Sequence, residues 1–362
     1  MSPDFMLSES GTLTKTIDTA SDFLHLENRI AAYLSDKLSY FKPLLDQGHT
    51  ASQPSGLNRP DNTPEKITKH AEWIYAKMTS YRFCKKRPED PKGYLATIQR
   101  AVEQHQAIPL IVGHGPQKNP NNCLPPEADW AEFFLLAQLA YLNRVIQAEY
   151  APGLQITLYL DDARAEGANQ IPDQRTADYR QSLNRLIETL DARWLFPSVV
   201  SLKTLYDEFG VWENVRRLKE HQAVFQASVS EKDLISAAKN FPFALEEFTG
   251  LTEEEKTHHI HHAASQYRLY LEAENQSGLW QQPNHLYARF NNHDGFLQLF
   301  TLRKGSVTQP WQGQGCLKLT PTGKLEPFVL TQQTEKKNQA IYYSEAGSWL
   351  IKKTPLILVS ED

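Results

Sequence analysis

Cysteine is scarce and unpatterned. Three stand in 362 residues, Cys84, Cys123 and Cys316, widely spaced and without a CxxC pair. That excludes a disulfide framework and makes a reducing cytosol the expected compartment. Long hydrophobic runs are missing as well: no stretch reaches the eighteen or so apolar residues of a membrane span. The N-terminus, MSPDFMLSES, has no positive region followed by an apolar one and resembles no signal peptide. Nor is there a basic excess. Lys and Arg number 38 against 43 Asp and Glu, a formal net charge of -5, which argues against nucleic acid as a partner. A small anion remains open, since one local cluster of cations suffices for it. The nucleotide fingerprints GxGxxG and GxxxxGK[ST] are absent, so no nucleotide cofactor is expected. No fixed-period repeat or coiled-coil heptad occurs.

What is present is the composition of a globular protein, 40% apolar and 22% charged, long enough for one large or two ordinary domains. Seven Trp among 10% aromatic residues predict a substantial core or pocket walls.

The chain is organised around residues 108–162. An apolar run, Ile108 to Val112, leads into a Gly, Pro and Asn-rich turn from Gly113 to Asn122. A helical pattern follows from Pro126 to Tyr150, and a second strand pattern from Leu154 to Leu160 ends on Asp161-Asp162. Strand, loop, helix, strand is the grammar of an α/β domain. Such sheets place ligands beyond the carboxyl ends of their strands, which is where the Lys118 loop and the Asp161 corner fall if the strands are parallel.

Upstream, periodicity predicts helices over 21–45, 67–78 and 93–104, with a linker at 47–66 broken by Pro54, Pro60 and Pro64. Residues 1–20 are Ser and Thr-rich and expected to be loosely attached. The basic, aromatic patch Tyr81 to Arg87 reads as a surface turn or as an anion-facing wall. Downstream, a helix around 179–190, a strand at 195–202 and helices across 202–275 are expected. Ser201 and Ser230 are placed as caps, and Thr252 with Glu255 forms a capping box. From Leu286 strand-like runs replace helices, an antiparallel or mixed β region that either stands apart as a lobe or extends the main sheet. The expected division is 1–66, an N-terminal helical segment and linker; 67–285, a Rossmann-like α/β core; and 286–362, a β-rich part completing the site.

Lys118 sits between Pro116 and Pro120, behind Gly113 and Gly115. It could hold a phosphate or carboxylate, act as a desolvated amine base or Schiff-base former, or simply be a solvated surface lysine. His114 is a second titratable candidate in the same loop. His258, His261 and His262 share one helix face, but three ligands so close on one helix crowd a single ion and no HExxH accompanies them. They read as ordinary surface histidines, and no metal is expected. Cys123 reads as an inert thiol. Trp130, Trp280 and Trp311 fit either core packing or an aromatic slot.

Several of these segments occur together in one family. Pro116-Gln117-Lys118-Asn119-Pro120-Asn121 resembles the Pro-x-Lys-Ser-Pro-Asn signature of the pyoverdine/dityrosine biosynthesis family, whose well-known members are isocyanide (isonitrile) synthases. Tyr150-Ala151-Pro152-Gly153, Leu160-Asp161-Asp162, Pro172-Asp173 with Tyr179, and Ser201-Leu202 are similar to the family's later motifs in order. Arg289-Phe290-Asn291-Asn292-His293 resembles its Arg-Leu-Ser-x-His, and Gln309-Pro310-Trp311-Gln312 its Thr-Pro-Trp-His. The resemblance covers roughly 105–330.

It implies a Rossmann-like sheet with flanking helices and a C-terminal β-rich extension. It also implies a cytoplasmic enzyme of secondary metabolism that turns the amine of an amino acid into an isonitrile, with ribulose 5-phosphate as carbon donor. An amino acid and a sugar phosphate are the implied small-molecule partners, and a downstream tailoring oxygenase would take the product. Lys118, Asp161 and His293 become the catalytic candidates, and His114, Asn121, Arg289, Trp311 and Gln312 the substrate-binding ones. The departures are Leu160 for Ser, Asp162 for Gly and Gln312 for His. They leave open a divergent enzyme performing another amine condensation or modification, and a binding protein without catalysis. On the anion-loop reading, removing Lys118 weakens co-substrate binding more than stability.

Overall fold

The computed structural model describes residues 20–45, 63–122, 126–281, 284–290, 295–300, 310–319, 325–330, 340–344 and 354–358. Its first half runs α1 (Ala20–Leu45), α2 (Pro64–Met78), β1 (Cys84–Lys86), α3 (Pro91–Glu103), β2 (Ile108–His114), α4 (Trp130–Gln147), β3 (Leu154–Leu160), α5 (Asp162–Asn169), α6 (Asp173–Thr189) and β4 (Ser198–Ser201). Then follow α7 (Leu202–Glu208), α8 (Val211–Lys219), α9 (Gln222–Ala227), α10 (Glu231–Asn240), α11 (Glu253–Ser277), β5 (Leu286–Arg289) and β6 (Leu297–Leu299). The last strands are β7 (Gln314–Leu319), β8 (Leu325–Leu330), β9 (Ala340–Ser344) and β10 (Thr354–Leu358).

The main sheet has the order β1-β6-β5-β2-β3-β4. Its pairs are parallel except for the edge strand β1, which is antiparallel to β6. A parallel sheet is covered on both faces and its strands are apolar on both. Leu110, Val112, Ile156 and Leu158 join the larger core cluster with Phe133, Leu136 and Leu139 of α4. On the other face Tyr159 packs with Leu202, Tyr206, Leu269 and Tyr270. From β2 the chain adds β3 and β4 on one side, then returns to add β5 and β6 on the other, so the direction reverses between β2 and β5. β7–β10 form a separate four-stranded sheet, order β8-β7-β10-β9. The main sheet thus draws strands from both sides of residue 285, and the residues after it supply both the sheet's far strands and a second sheet.

Several local expectations change. Tyr81 to Arg87 is a surface turn at 81–83, with Tyr81 exposed, that runs on into β1; β1 pairs with β6, and Phe83 and Cys84 are buried. α2 starts at Pro64, inside the expected linker, because proline at the first helical position has no hydrogen-bonding N–H to lose. α5 was not anticipated, since Gly167, Asn169 and its charged residues conceal it. Ser201, Ser230 and Thr252 do cap their helices. Residues 1–19 and 46–62, which hold most of the expected loose N-terminus and linker, lie outside the described residues. Among the described residues no helix is long and apolar enough to cross a membrane.

The loop after β2 is fixed by a buried ion cluster. The Lys118 ammonium, on a side chain 0% exposed, lies 3.0 Å from Asp129 and 2.8 Å from Glu132 and donates to the Pro310 carbonyl at 2.9 Å. Asp129 caps α4, and its second oxygen accepts from the Gly315 amide at 2.8 Å. Glu132 closes the capping box and accepts from the Tyr179 hydroxyl at 2.8 Å. Three segments, the Lys118 loop, the first turn of α4 and the Pro310 turn, therefore meet at one ammonium. Burial pulls the Lys118 pKa down, but the two carboxylates outweigh it and hold the value above that of ordinary lysine. Burial also pushes Asp129 up, against the pull of Lys118 and with the repulsion of Glu132.

Breaking a buried pair strands the remaining charge and typically costs about 3–5 kcal/mol. Lys118→Met should therefore lower the unfolding free energy by about that amount near pH 7.5. The loss should shrink as acid neutralises Asp129, whose carboxyl burial already holds above the usual carboxylate range. Denaturant melts at pH 7.5 and 5 test this, and an unchanged midpoint at both would contradict it.

Candidate functional site

A cavity of about 770 Å³ opens at the carboxyl ends of the central strands. β2 delivers His114, β3 leads to Asp161, and β5 ends on Arg289, all of which line it. The β2 and β3 ends are stitched together, the Asp161 amide donating to the His114 carbonyl at 3.2 Å. α5 contributes Arg164, α10 a wall of exposed polar side chains, α11 Tyr267 and Leu271, and the Pro310–Gln312 turn Trp311 and Gln312. That turn is held by Lys118 on the Pro310 carbonyl and by the Asn119 amide, which donates to the Trp311 carbonyl at 2.7 Å.

Gly113 and Gly115 allow this closeness. A Cβ on Gly115 would stand 2.1 Å from the Trp311 ring, and one on Gly113 would stand 2.5 Å from the Tyr159 hydroxyl and 3.0 Å from Arg289. The glycines admit the protein's own side chains into the wall.

Two buried guanidinium groups dominate the interior. Arg164 donates from Nε to Asp161 at 2.7 Å and from Nη1 to the Tyr267 hydroxyl at 3.2 Å, with Glu274 3.3 Å from Nε. Glu274 is held in turn by Tyr206 and by Trp280 Nε1 at 2.7 Å. Arg289, 3% exposed, donates from Nε to the Tyr159 hydroxyl. Its guanidinium lies among the rings of Tyr159, Trp280 and Phe296, 4.8–5.5 Å from their centres. Arg164 Nη2, Arg289 Nη2, His114 Nε2 and Gln117 Oε1 are buried without a hydrogen-bond partner. All four residues line this cavity. Buried polar atoms are almost always satisfied, so four orphans around one space mark a place built for a polar ligand. Two of them are donors on cations and two are acceptors.

His114 Nδ1 lies 2.9 Å from the Gly115 carbonyl. A carbonyl only accepts, so Nδ1 carries the hydrogen and Nε2 is left as an acceptor. Burial and, secondarily, the Lys118 charge lower its pKa to about 4, against the Gly115 bond. The ring is neutral at physiological pH, packed 4.9 Å from that of Trp311. Burial pushes Asp161 up to about 6 despite Arg164 and Arg289. A carboxyl with that value is ionised at neutral pH yet exchanges protons readily. The arrangement can therefore hold a carboxylate or phosphate on guanidinium donors, receive an ammonium or proton at Asp161, and accept a hydrogen bond at His114.

The family described as pyoverdine/dityrosine biosynthesis protein matches residues 98–276, a span that holds His114, Lys118, Asp161 and Arg164. The chain belongs to the pyoverdine/dityrosine biosynthesis family. L-tryptophan isonitrile synthase AmbI1 from Fischerella ambigua (strain UTEX 1903) is 30% identical over 132 residues, 35% of this chain and 41% of that protein. The match thus spans less than half of that relative. The crystal structure of PvcA from Pseudomonas aeruginosa aligns with a TM-score of 0.58 at 18% identity, over 80% of this chain and 100% of that one. That likeness shows a shared α/β fold.

Within the family's motifs the structure separates wall from support. Asp161, His114, Arg289, Trp311 and Gln312 line the cavity. Lys118 does not. It is sealed beneath the loop with a raised pKa, whereas an anion-binding or Schiff-base lysine needs an open ammonium and the latter a depressed pKa. Asn121 is also structural, donating to the Phe241 carbonyl at 2.7 Å and accepting from the Ala244 amide at 3.0 Å. His293 lies outside the described residues, as does Cys123. Of the departures, Leu160 is core. Asp162 faces the Lys203 amide (3.4 Å) and Arg180 (3.9 Å) rather than the cavity. Only Gln312 sits in the wall.

The His258 to His262 group contributes nothing to the cavity, His259 packing on Phe241 and Phe248. Among the described residues no three His, Cys, Asp or Glu side chains converge as a metal site. Sequence reasoning missed Arg164, Gln117 and Tyr267. The Asp161-x-x-Arg164 spacing past a strand end was the available signal, since i and i+3 share a face once α5 is a helix.

The Asp161 value sets a pH dependence. The fold favours its neutral form, so this carboxyl's contribution to stability declines as pH rises from about 4 toward about 6. Binding of an ammonium ligand should do the opposite, strengthening through a midpoint near 6. Titrating amino acid affinity between pH 4.5 and 8 should show that limb in the wild type and lose it in Asp161→Asn. A limb retained in the variant would assign it elsewhere.

Proposed function

We propose that this protein is an isonitrile synthase, which converts the amine of an aromatic amino acid using the C2 carbon of ribulose 5-phosphate. The observation that carries this reading is the convergence of the orphaned Arg164 and Arg289 nitrogens with Asp161 in one cavity, within a family that includes a tryptophan isonitrile synthase. The parallel core is read as Rossmann-like, with the site at its switch point between β2 and β5.

In this reading the free Nη2 groups of Arg289 and Arg164 take the amino acid carboxylate, with Asp161 against its ammonium. Asp161, ionised at neutral pH, accepts the proton that frees the amine to attack the ketose carbonyl. His114 Nε2 accepts a hydrogen bond from a substrate hydroxyl or N–H. Trp311, Tyr267 and Leu271 flank the aromatic side chain, and His293 is kept as the second proton carrier. Lys118 acts by positioning the Pro310–Gln312 turn.

Gln312 favours one alternative, a divergent amine condensation on the same scaffold. It lines the cavity where the family motif has histidine, and an amide is no general acid. Purified protein given pooled amino acids and ribulose 5-phosphate labelled at C2 separates the two. A product that gains one labelled carbon at the amine nitrogen is the expected result. A condensation product without that single-carbon transfer would replace isonitrile synthesis with the alternative.

A further inference from the structure

The cavity has a second set of cations, at a different depth and of a different kind. Lys232, Ser236 and Lys239 of α10 all line it, at i, i+4 and i+7 and therefore on one helix face. These side chains are exposed, in contrast to the buried guanidinium groups of the interior. Neither lysine has a carboxylate partner among the described residues. Asp233 also borders the cavity, but it is engaged by the Ser230 amide (2.9 Å), the Ser230 hydroxyl (2.6 Å) and Arg268 (2.8 Å).

α10 is held over the opening by its own small apolar cluster of Ala237, Phe241, Ala263 and Ala264. The Asn119 amide group, donating to the Lys239 carbonyl at 3.1 Å, ties it to the loop beneath.

Two cationic sets at two depths sort anions by charge and shape. A carboxylate is a planar monoanion that matches a guanidinium fork, and burying it costs less than burying a dianion. The interior also contains Asp161 and Glu274, which repel a second negative charge. A phosphomonoester carries close to two charges at neutral pH, suits the point charges of lysine, and keeps part of its hydration at an open mouth.

We propose that Lys232 and Lys239 form a phosphate subsite at the cavity mouth, separate from the carboxylate subsite at Arg164 and Arg289. This rests on the reading that an amino acid and a sugar phosphate share the cavity. The phosphate end of the ketose is held outermost, and its carbonyl end is directed inward toward the amine.

The test uses the full chain and does not depend on turnover. Inorganic phosphate and ribulose 5-phosphate binding are measured by calorimetry at pH 7.5, and L-tryptophan binding by equilibrium dialysis. The targets are exposed, so Lys232→Ala/Lys239→Ala should fold normally. It should weaken both phosphate probes about tenfold, as two partly exposed ion pairs would, and leave tryptophan affinity unchanged. The phosphate affinity should fall with added salt in the wild type. Arg289→Lys should reverse the pattern. Undiminished phosphate affinity in the double variant, loss of phosphate binding in Arg289→Lys, or no phosphate binding by the wild type would each overturn the proposal. Failure of label transfer with this pattern intact would instead count against isonitrile synthesis and leave the subsite standing.

Discussion

The Lys118 ammonium between Asp129 and Glu132 is the contact on which the rest of the site's geometry depends. A lone ammonium or carboxylate is too costly to bury, so each of the three groups is tolerable only while the others stay in place. That mutual requirement fixes where the loop after β2, the first turn of α4 and the Pro310 turn meet. Two of these segments border the cavity directly: the loop carries His114, Gly115 and Gln117, and the turn carries Trp311 and Gln312. The third supplies the rigid floor, since α4 is apolar on nearly every side and cannot shift without opening the core. A signature lysine here maintains a wall without touching what the wall encloses.

A second network performs the same service for charge inside the cavity. Glu274, anchored by Tyr206 and Trp280, faces Arg164, which in turn faces Asp161. Arg289 is held by rings and one tyrosine hydroxyl rather than by a carboxylate. Each guanidinium therefore has its Nε fixed and its Nη2 left over. Preorganised donors of this kind need no rearrangement when an anion arrives, which is where electrostatic sites gain their strength. The His114 ring, neutral and braced by Trp311, adds an acceptor without adding charge.

Much of the frame was legible in the chain. The apolar run at 108–112, the alternation at 154–160 and the broad stripe of α4 specify a parallel pair with a helix between them, and period and turn chemistry encode those locally. The Thr252 and Ser230 caps were readable for the same reason. The site was legible only as a neighbourhood. Asp161 was placed by its strand end as well as by the family motifs that gave Arg289 and singled out Trp311, yet nothing local distinguishes a lysine that faces a ligand from one that faces two carboxylates. Asp129 and Glu132 lie eleven and fourteen residues beyond Lys118 and reach it only through the tertiary path of the loop. Arg164 was hidden because α5 carries a glycine and no apolar stripe. Nothing in the sequence sets α10's lysines apart from a solvated helix face; only the fold puts that face on the cavity.

The most direct measurement is a crystal structure with L-tryptophan bound, collected near pH 7.5. The orphaned nitrogens predict the carboxylate on Arg164 and Arg289, the ammonium beside Asp161, and the loop around Lys118 unmoved. An amino acid held elsewhere, or one whose carboxylate contacts Lys118 after the cluster with Asp129 and Glu132 has opened, would contradict the division between supporting lysine and binding arginines.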